Sequence, residues 1–379
     1  MNEAVKSFID NKAADMRETL RTLALIPAPS GMERERARFC ADFLRNAGAA
    51  EVRRDRVGNL ICPLRPGRSG KWIVFSAHMD TVFPLETPLS IKEEGDRWVC
   101  PGIGDDTASL VVLLYAARFI LENATEETEH GILLLATMGE EIGSVGAKAF
   151  TDDFGAENMA FFYSFDGNFR SIYPNVVNRE MYRIHVNTPG GHALGAYGSP
   201  NAIEELAKLL QAVCGQCREY VASIHEGRNA FNVNTVSGGT GNNIADHAVA
   251  EMQFRSNRPE RVETMVSFVK QYVQTHGTDK IRFTVKPYGD EAFWNTVPDG
   301  CIAEYGQKHL KLVQSLGVDA HLSLSATDCR YPMHKGVPSL CMGMALAYDP
   351  HTLRDSVVPG SLPKGLEILL AIFEMNGLI

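Results

Sequence analysis

Histidine and acidic residues occur in five short segments of this sequence, nearly all of them at the end of an apolar run, and their side chains suit metal-assisted hydrolysis. They lie in the segments 76–80, 104–106, 139–141, 165–167 and 349–351. Imidazole nitrogens and carboxylate oxygens are ligands that zinc accepts in proteins. The adjacent Glu140 and Glu141 can divide the remaining work, one as a metal ligand and the other as a free base. The residue types therefore indicate a hydrolase with a two-metal site.

Each of these segments also has an ordinary structural explanation when it is taken alone. A single histidine at a strand end is usually a structural residue. An Asp105–Asp106 pair often caps a helix, and a Glu140–Glu141 pair usually lies in a solvated loop. In a parallel α/β sheet, however, ligands bind in the crevice at the carboxyl ends of the strands. Four of the segments follow predicted strands of one such sheet, and Asp105 lies at a loop-to-helix junction, so we expect all five to converge on a single site.

Buried strands and helices alternate along the parts of the chain that carry these residues. Short continuous apolar runs predict strands that are buried on both faces, and apolar residues at helical spacing predict the helices. The predicted strands cover 52–60 (with a turn at Gly58-Asn59), 72–77, 131–137, 159–165 and 339–344, and the predicted helices cover 3–26, 32–47, 107–122, 144–150 and 362–375. This alternation indicates an α/β fold with a mostly parallel sheet.

The pattern changes between about residues 178 and 290, where polar and apolar residues alternate as in half-exposed strands. The predicted strands there cover 181–188, 230–236, 248–255 and 280–286, with 230–236 and 248–255 as an antiparallel pair, and the predicted helices cover 201–226 and 259–276. These elements make an α+β insertion. We therefore predict a discontinuous catalytic domain, residues 1–177 and 291–379, and an inserted domain, residues 178–290.

Length and composition favour a two-domain cytoplasmic protein. The chain has 379 residues, more than a single compact domain usually holds. Its formal charge of −9 disfavours nucleic acid and anionic membranes as partners. No apolar stretch approaches the roughly 20 residues of a membrane span, and the polar N-terminus lacks an apolar signal core. The eight scattered cysteines indicate reduced thiols in the cytoplasm.

Taken together, the motifs resemble those of the co-catalytic dizinc metallopeptidase family that holds peptidase T, aminoacylase, glutamate carboxypeptidase, acetylornithine deacetylase and succinyl-diaminopimelate desuccinylase. They are the His78-x-Asp80 segment, Gly-x-Gly-Asp-Asp ending at Asp106, Gly-Glu-Glu-Ile-Gly-Ser starting at Gly139, Asp166-Gly, Pro-Gly-Gly-His ending at His192 and the C-terminal His351. The match spans most of the chain and looks most like peptidase T-like members. The resemblance implies a phosphorylase/hydrolase-like catalytic domain and an inserted lid domain that also mediates homodimerisation.

The resemblance also implies a metal-binding role for five residues. His78 and Asp166 would bind one zinc ion, and Glu141 and His351 would bind the other. Asp105 would bridge the two ions. Two Zn²⁺ are therefore the predicted cofactors, with Co²⁺ or Mn²⁺ as alternatives.

Two further residues complete the predicted chemistry. Glu140 would be the general base for a hydroxide that lies between the ions. Asp80 comes two residues after His78, so both side chains share a face if the strand continues, and Asp80 can accept the proton on the second ring nitrogen. By resemblance, the peptide bond between Asp105 and Asp106 is cis.

The chain departs from the family pattern at two places. Thr107 and Ala108 stand where many members have lysine and glycine, and Asp355 stands where a glutamate is common. Neither change removes a predicted metal ligand, so both bear on specificity.

Three residues outside the metal set are candidates for substrate contact. By resemblance, His192 reaches the active site of the partner subunit and stabilises the oxyanion of the tetrahedral intermediate; a plain loop histidine is the alternative. Asn243 ends a glycine-rich turn that resembles the family's lid turn, and the rival, an anion cradle, lacks the Gly-Lys-Ser/Thr of a P-loop. Arg330 can hold a substrate carboxylate bidentately, with a surface salt bridge as the alternative.

The predicted function is zinc-dependent hydrolysis of an amide bond in short peptides or N-acyl amino acids. An exopeptidase is favoured, with an N-acyl-amino-acid deacylase or a carboxypeptidase as alternatives on the same metal centre. A non-catalytic peptide-binding descendant is the alternative of another class, but Glu140 and every predicted ligand are present. A serine hydrolase is disfavoured because no Gly-x-Ser-x-Gly elbow occurs, and a dinucleotide site because Thr107 replaces the third glycine.

Overall fold

The computed structural model describes residues 3–123, 127–289, 291–325 and 327–379. The chain divides into two compact units. Unit 1 comprises Met1–Val176 and Asn295–Ile379, and unit 2 comprises Val177–Trp294. The predicted division of roles between a catalytic domain and a lid or dimerisation domain stays a prediction. The predicted limit near Asp290 falls on a residue outside the described ranges.

Nine α-helices and eighteen strands lie within the described ranges. The helices are α1 (Glu3–Ala24), α2 (Arg34–Asn46), α3 (Ala108–Asn123), α4 (Val145–Phe154), α5 (Ala202–Ser223), α6 (Pro259–His276), α7 (Asp299–Ser315), α8 (Arg330–His334) and α9 (Leu362–Met375). The strands are β1 (Arg53–Arg54), β2 (Leu60–Arg65), β3 (Trp72–His78), β4 (Lys92–Glu94), β5 (Arg97–Val99), β6 (Gly131–Thr137), β7 (Met159–Ser164), β8 (Ser171–Tyr173), β9 (Asn178–Asn187), β10 (Gly191–His192), β11 (Asn229–Gly238), β12 (Asn243–Ile244), β13 (His247–Ser256), β14 (Arg282–Tyr288), β15 (His321–Leu322), β16 (Ser339–Met342), β17 (Ala347–Tyr348) and β18 (Ser356–Val357). None of the described helices has the length and apolar character needed to cross a membrane.

An eight-stranded sheet forms the centre of unit 1, in the order β1-β2-β6-β3-β7-β16-β8-β15. Strand β3 runs parallel to both β6 and β7, and β16 runs parallel to β7. The flanking strand β2 is antiparallel to β6, and β8 is antiparallel to β16. Every residue of β6 is buried, as expected for a parallel strand that is covered on both faces. The prediction of an α/β fold with a mostly parallel sheet is confirmed.

Helices cover both faces of this sheet. Leu20 of α1 and Leu369 of α9 pack in one apolar core with Phe75 of β3. Phe150 of α4 packs in a second core with Val74 of the same strand. Because successive side chains of a strand point to opposite faces, Val74 and Phe75 contact different helical layers. The central strands are thus held rigidly from both sides.

The strand predicted over 52–60 is interrupted as expected at Gly58-Asn59, but the interruption begins earlier, at Asp55. Residues 55–59 form a turn in which the Asp55 carboxylate accepts hydrogen bonds from the backbone N–H groups of Val57, Gly58 and Asn59, at 3.1, 2.9 and 3.0 Å. An aspartate that satisfies three neighbouring amides removes them from any strand ladder. The chain therefore forms a hairpin of β1 and β2, and β2 extends beyond the predicted segment.

The sequence patterns also fail to predict α7, because a buried histidine interrupts its apolar stripe. His309 lies among Ile302, Tyr305 and Val313 and is 2% exposed. Its Nδ1–H donates to the Tyr305 carbonyl at 2.6 Å, and its Nε2 accepts from the Tyr163 hydroxyl at 2.8 Å. Both ring nitrogens are satisfied, so a polar residue occupies a core position.

Unit 2 contains one four-stranded antiparallel sheet, in the order β11-β13-β9-β14. Buried and less buried residues alternate along β13, as expected when helices cover only one face of a sheet. Helices α5 and α6 contact β13 and supply that cover. A separate ribbon pairs β10 with β12. Four main strands and two helices agree with the elements predicted for the insertion.

The chain passes from unit 1 to unit 2 after Val176 and returns to unit 1 at Asn295. Asparagine side chains make hydrogen bonds between the outgoing and the returning segment in each unit. In unit 1, Asn295 donates from Nδ2 to Oδ1 of Asn175 at 2.9 Å. In unit 2, the backbone N–H of Phe293 donates to Oδ1 of Asn178 at 3.1 Å. The outgoing and returning segments therefore lie side by side within each unit.

Candidate metal centre

Three central strands of unit 1 deliver predicted site residues at one edge of the sheet. His78 is the last residue of β3 and is directly opposite Thr137, the last residue of β6. Glu140 follows three residues later, and Asp166 follows the end of β7 by two residues. Because these strands are parallel, their carboxyl ends bring these residues to one crevice.

Asp105 and His351 reach this edge from two irregular segments. Asp105 lies in the turn Ile103–Thr107 before α3, where its φ and ψ are not helical. The Asp105–Asp106 peptide bond is cis, which confirms the expectation drawn from the family resemblance. His351 lies between β17 and β18 with a φ of +61°, a region that non-glycine residues rarely adopt. Neither segment has regular backbone where its side chain enters the site.

The Asp105 carboxylate lies between the two predicted histidine ligands. Its Oδ1 is 3.0 Å from Nε2 of His78, and its Oδ2 is 3.2 Å from Nε2 of His351. The same His351 nitrogen is 3.1 Å from Oε2 of Glu141. One ligand atom from each of His78, Asp105 and Glu141 lies within 4.8 Å of the others, which is a spacing that fits a metal ion. A carboxylate with one oxygen turned to each side has the arrangement required of a bridging ligand.

The fully buried Asp80 carboxylate fixes the residues around it. It faces Nδ1 of His78 at 3.4 Å and accepts the N–H groups of Glu140 and Glu141 at 3.0 and 3.2 Å. The hydroxyl of Ser30 donates to it at 2.6 Å. Burial alone would raise the pKa of Asp80, but the hydrogen bonds with His78 and Ser30 outweigh it and lower the pKa. Nδ1 of His78 also lies 3.1 Å from the backbone carbonyl oxygen of Asp80, so this nitrogen is engaged by Asp80 and Nε2 points toward Asp105 and the candidate metal position.

A cavity of about 380 Å³ opens over this edge of unit 1. Its lining residues include Asp105, Glu140, Glu141, Asp166 and His351. His351 is the most open of the predicted ligands, with 56% of its side chain exposed, whereas His78 is 2% exposed. The volume falls in the range of roughly 300–1,000 Å³ that small-molecule sites occupy.

Carboxyl groups crowd this cavity, and their pKa values show the resulting repulsion. Burial and the neighbouring charge of Asp105 raise the pKa of Asp166 to about 7 and that of Asp355 to about 8. Burial raises the pKa of Glu140 well above its usual value, with Asp328 and Asp166 adding to the effect. Divalent cations would relieve this repulsion by holding the carboxylates ionised. The donor set of imidazoles and carboxylates therefore fits two such ions.

The two histidines attract protons as well as cations. Burial alone would lower the pKa of His78, but its hydrogen bonds with Asp105 and Asp80 raise it well above the usual value. The hydrogen bond with Asp105 also raises the pKa of His351 to about 9. Metal ligation requires neutral imidazoles, so protons and metal ions compete for these nitrogens.

The three predicted substrate residues do not belong to this cluster. His192 and Asn243 lie in unit 2, where they face each other across the β10–β12 ribbon, and both are exposed. Nδ1 of His192 accepts the N–H of Gly195 at 3.2 Å. Arg330 is half-buried at the first residue of α8 and is not among the residues that line the cavity.

Two carboxylates near the metal ligands had no role in the predicted chemistry. Asp355 accepts the N–H groups of Gly104 and Asp105, at distances of 3.2 to 3.4 Å, and so holds the turn that carries the predicted bridging ligand. Asp328 is 1% exposed and accepts the Thr137 hydroxyl at 2.6 Å. Asp355 was noticed only as a departure from the family pattern, although its shorter side chain still reaches the turn.

Glu33 and Arg36 are further buried charged residues that the predictions omit. Arg36 is 1% exposed and Glu33 is 4% exposed. A signal for Arg36 was present, because Arg36, Cys40 and Leu44 recur every four residues and so share the buried face of α2. An arginine on the apolar stripe of a helix indicates a buried partner.

Comparisons with known proteins agree with this site. The profile of Peptidase family M20/M25/M40 matches residues 74–375. Among curated relatives, the succinyl-diaminopimelate desuccinylase of Corynebacterium glutamicum is 24% identical over 291 residues, which cover 76% of this chain and 78% of the relative.

Two solved structures show the same fold. The aminopeptidase PepT of Bacillus cereus superposes with a TM-score of 0.77 at 22% identity, covering 96% of this chain and 99% of that one. The YXEP protein of Bacillus subtilis, described as a dinuclear metal-binding peptidase of the M20 family, superposes with a TM-score of 0.72 at 14% identity, covering 99% of this chain and 100% of that one. In both comparisons the superposed region includes residues of unit 1 and of unit 2.

Proposed function

This chain belongs to peptidase family M20/M25/M40, and from that membership we propose that it is a two-metal exopeptidase acting on short peptides. The observation that carries the proposal is the Asp105 carboxylate, held with one oxygen toward His78 and the other toward His351. A carboxylate held in this way would be able to serve two ions. The solved peptidases of the same fold support the peptide-cleaving function.

We assign two divalent ions, with zinc favoured and Co²⁺ or Mn²⁺ as alternatives. His78 and Asp166 would hold one ion, Glu141 and His351 would hold the other, and Asp105 would serve both. When bound, the ions lower the pKa of water and polarise the scissile carbonyl. The carboxylates of Asp105, Glu141 and Asp166 would balance most of the charge of the ions, since the imidazole ligands are neutral.

Glu140 is the general base in this proposal. Burial raises its pKa well above the usual value, so its carboxylate can take a proton from water and hold it until the leaving nitrogen accepts it. Its backbone N–H is fixed by Asp80 at 3.0 Å. The same Asp80 carboxylate fixes Glu141, so the base and the adjacent ligand are placed by one group.

His192 and Asn243 supply the remaining contacts, and His192 does so across a homodimer formed through unit 2. Because Nδ1 of His192 accepts the Gly195 N–H, the neutral imidazole carries its proton on Nε2. That N–H can donate to the oxyanion of the tetrahedral intermediate. Arg330 would bind a carboxylate of the substrate. The free state of all eight cysteines supports a cytoplasmic location.

One alternative substrate class has a specific observation behind it. The relative named as a succinyl-diaminopimelate desuccinylase removes an acyl group rather than an amino acid. An N-acyl-amino-acid deacylase would use the same ligands and the same base. A carboxypeptidase also remains an alternative on this metal centre.

A substrate panel tests the proposal. Metal-loaded protein should be assayed on dipeptides and tripeptides, on the same peptides blocked at either end, and on N-acyl amino acids, with Glu140→Gln as the inactive control. Cleavage of free peptides that is lost when one end is blocked supports an exopeptidase, and the sensitive end identifies its mode. Cleavage of N-acyl amino acids alone would replace the exopeptidase with a deacylase.

A further inference from the structure

Three side chains from residues 30–36, at the start of α2, each bind a different part of the candidate metal centre. We call this stretch the α2-entry segment. It contributes Ser30, Glu33 and Arg36, and none of the predicted metal ligands lies on it. The predicted site residues come from five parts of the chain, and the α2-entry segment contacts three of them: the loop after His78, the turn of Asp105 and the loop of Glu140. The α2-entry segment is therefore a common support for loops that are otherwise connected through the sheet.

Arg36 joins two of these loops. Its Nη1 donates to the carbonyl of Met79 at 3.1 Å and to the hydroxyl of Thr107 at 3.0 Å. Met79 lies between His78 and Asp80, and Thr107 ends the turn that carries Asp105. Nε of Arg36 donates to the carbonyl of Ile26 at 2.9 Å, which anchors the guanidinium. One planar group thus sets the distance between the His78 loop and the Asp105 turn.

Glu33 binds the third loop. Its Oε1 accepts the N–H of Gly139 at 3.1 Å, directly before Glu140, and also the N–H of Gly31 at 2.8 Å. Ser30 completes the set through its hydrogen bond to the Asp80 carboxylate. All three loops are thereby tied to a stretch of seven residues.

A purely structural role is a poor explanation for these charges. Burying a guanidinium or a carboxylate costs several kcal/mol, and an apolar residue of similar volume often stabilises a fold as well or better. Besides the two local bonds with Ile26 and Gly31, the hydrogen bonds of Glu33 and Arg36 go to backbone and hydroxyl groups beside the candidate ligands rather than to each other. Their arrangement serves the loops and not the helix.

We propose that Glu33 and Arg36 are positioning residues that set the spacing between the two metal-ion sites. Arg36 holds His78 and Asp105 in register, and Glu33 holds the loop of Glu140 and Glu141 against them. This inference rests on the proposed two-metal function. Residues that orient metal ligands typically change metal affinity by about 10- to 100-fold when they are mutated.

Cobalt-loaded protein provides a test that does not depend on turnover. The visible absorption of Co²⁺ reports the geometry of its ligands, and competition with a chelator gives the affinity of each ion. Arg36→Met and Glu33→Ala should each change the Co²⁺ spectrum and weaken binding of at least one ion by roughly tenfold or more. Glu33→Gln keeps the accepting oxygen and should retain the wild-type spectrum.

Leu44→Ala is the matched control, because Leu44 lies on the same helix, is fully buried and packs in the core of unit 1. It should lower the melting temperature without altering the Co²⁺ spectrum. If Arg36→Met does not fold, the contrast between Glu33→Ala and Glu33→Gln decides the question.

Spectra and affinities of the Arg36 and Glu33 variants that match the wild type would overturn the positioning role alone. A change in the Leu44→Ala spectrum as large as theirs would also overturn it, because general destabilisation would then be sufficient. Wild-type protein that binds no Co²⁺ would overturn the proposed two-metal function and this inference with it.

Discussion

His192 and Asn243 are paired directly across the two-stranded ribbon of β10 and β12. They are far apart in sequence, and each was singled out for a separate reason. The imidazole offers Nε2–H because Nδ1 is occupied by Gly195, and the amide offers its own NH₂ group. One short ribbon therefore presents two hydrogen-bond donors side by side.

The pairing predicts that the two side chains act as a unit in catalysis. We expect His192→Ala and Asn243→Ala each to lower kcat/KM, and the double variant to lose less than the product of the two single losses, because each depends on the same ribbon. Steady-state kinetics on the best peptide of the panel would measure this coupling. Strictly multiplicative losses would mean that they act on separate features of the substrate.

Subunit exchange tests whether His192 acts across a dimer. His192→Ala and Glu140→Gln proteins should each have strongly reduced activity, and mixing them should raise the activity above that of either alone, because one site of the mixed dimer has both groups intact. With random exchange, about one quarter of all sites would be complete. Native mass spectrometry would confirm that mixed dimers form. Proven exchange without recovery would exclude action of His192 on the partner subunit.

The neighbouring glutamates should respond differently to the same substitution. Glu140→Gln should lower kcat by at least about 10²-fold while two metal ions remain bound, since it removes the proton acceptor. Glu141→Gln should instead lower metal occupancy, since it weakens a ligand. Elemental analysis alongside single-turnover kinetics separates the two effects. Identical behaviour of both variants would contradict this division of roles.

Metal occupancy should fall on acidification. Protonation of His351, whose pKa is raised to about 9, and of His78 opposes ligation, so metal affinity should weaken progressively as the pH is lowered. Asp105→Ala should abolish binding of both ions over the whole range, because both depend on that carboxylate. Chelator competition at a series of pH values measures the effect. Asp246→Ala, far along the sequence in unit 2, provides a control that should leave occupancy unchanged.

His309 should make the fold sensitive to acid independently of the metal centre. Burial lowers its pKa from 6.5 to about 4, so the unfolded chain binds the proton more readily. The stability contributed by neutral His309 is present above pH 6.5 and is lost as the pH falls toward 4, by about 3 kcal/mol at most. In His309→Gln, the free energy of unfolding should be lower than that of the wild type at pH 7, and the gap should narrow in acid. Urea unfolding at several pH values would show it, and a constant gap would contradict it.

The predicted metal ligands could be proposed from the sequence because the ends of buried strands can be recognised where an apolar run stops. Continuous apolar runs locate the buried parallel strands, and the geometry of such sheets brings their carboxyl ends to one edge. His78 and Asp166 follow from that rule, and the contact of Asp105 with both histidines agrees with its predicted bridging role.

Contacts made through space, without a periodic pattern, could not be found in this way. Nothing in the local sequence of Glu33 shows that its oxygen meets the N–H of Gly139, more than a hundred residues away. The turn predicted at Gly58-Asn59 begins earlier than expected, because the three hydrogen bonds of Asp55 compete with a strand that composition favours. His309 shows the same limit. Its ring nitrogens are hydrogen-bonded inside the core, and a polar residue at that position interrupts the apolar pattern by which a helix is recognised in the sequence.

The hydrogen bonds of Asn175 and Asn178, where the chain passes between the units, indicate that unit 2 is a modular insertion. Asn175 contacts Asn295 in unit 1. The chain therefore leaves unit 1 and returns to it at nearly the same point. A short glycine-containing linker could span that gap, so the inserted unit can be removed, exchanged or acquired without rerouting a single strand of the sheet. Evolution and protein engineering can therefore vary the inserted unit while the sheet that carries the candidate metal centre keeps its own connectivity.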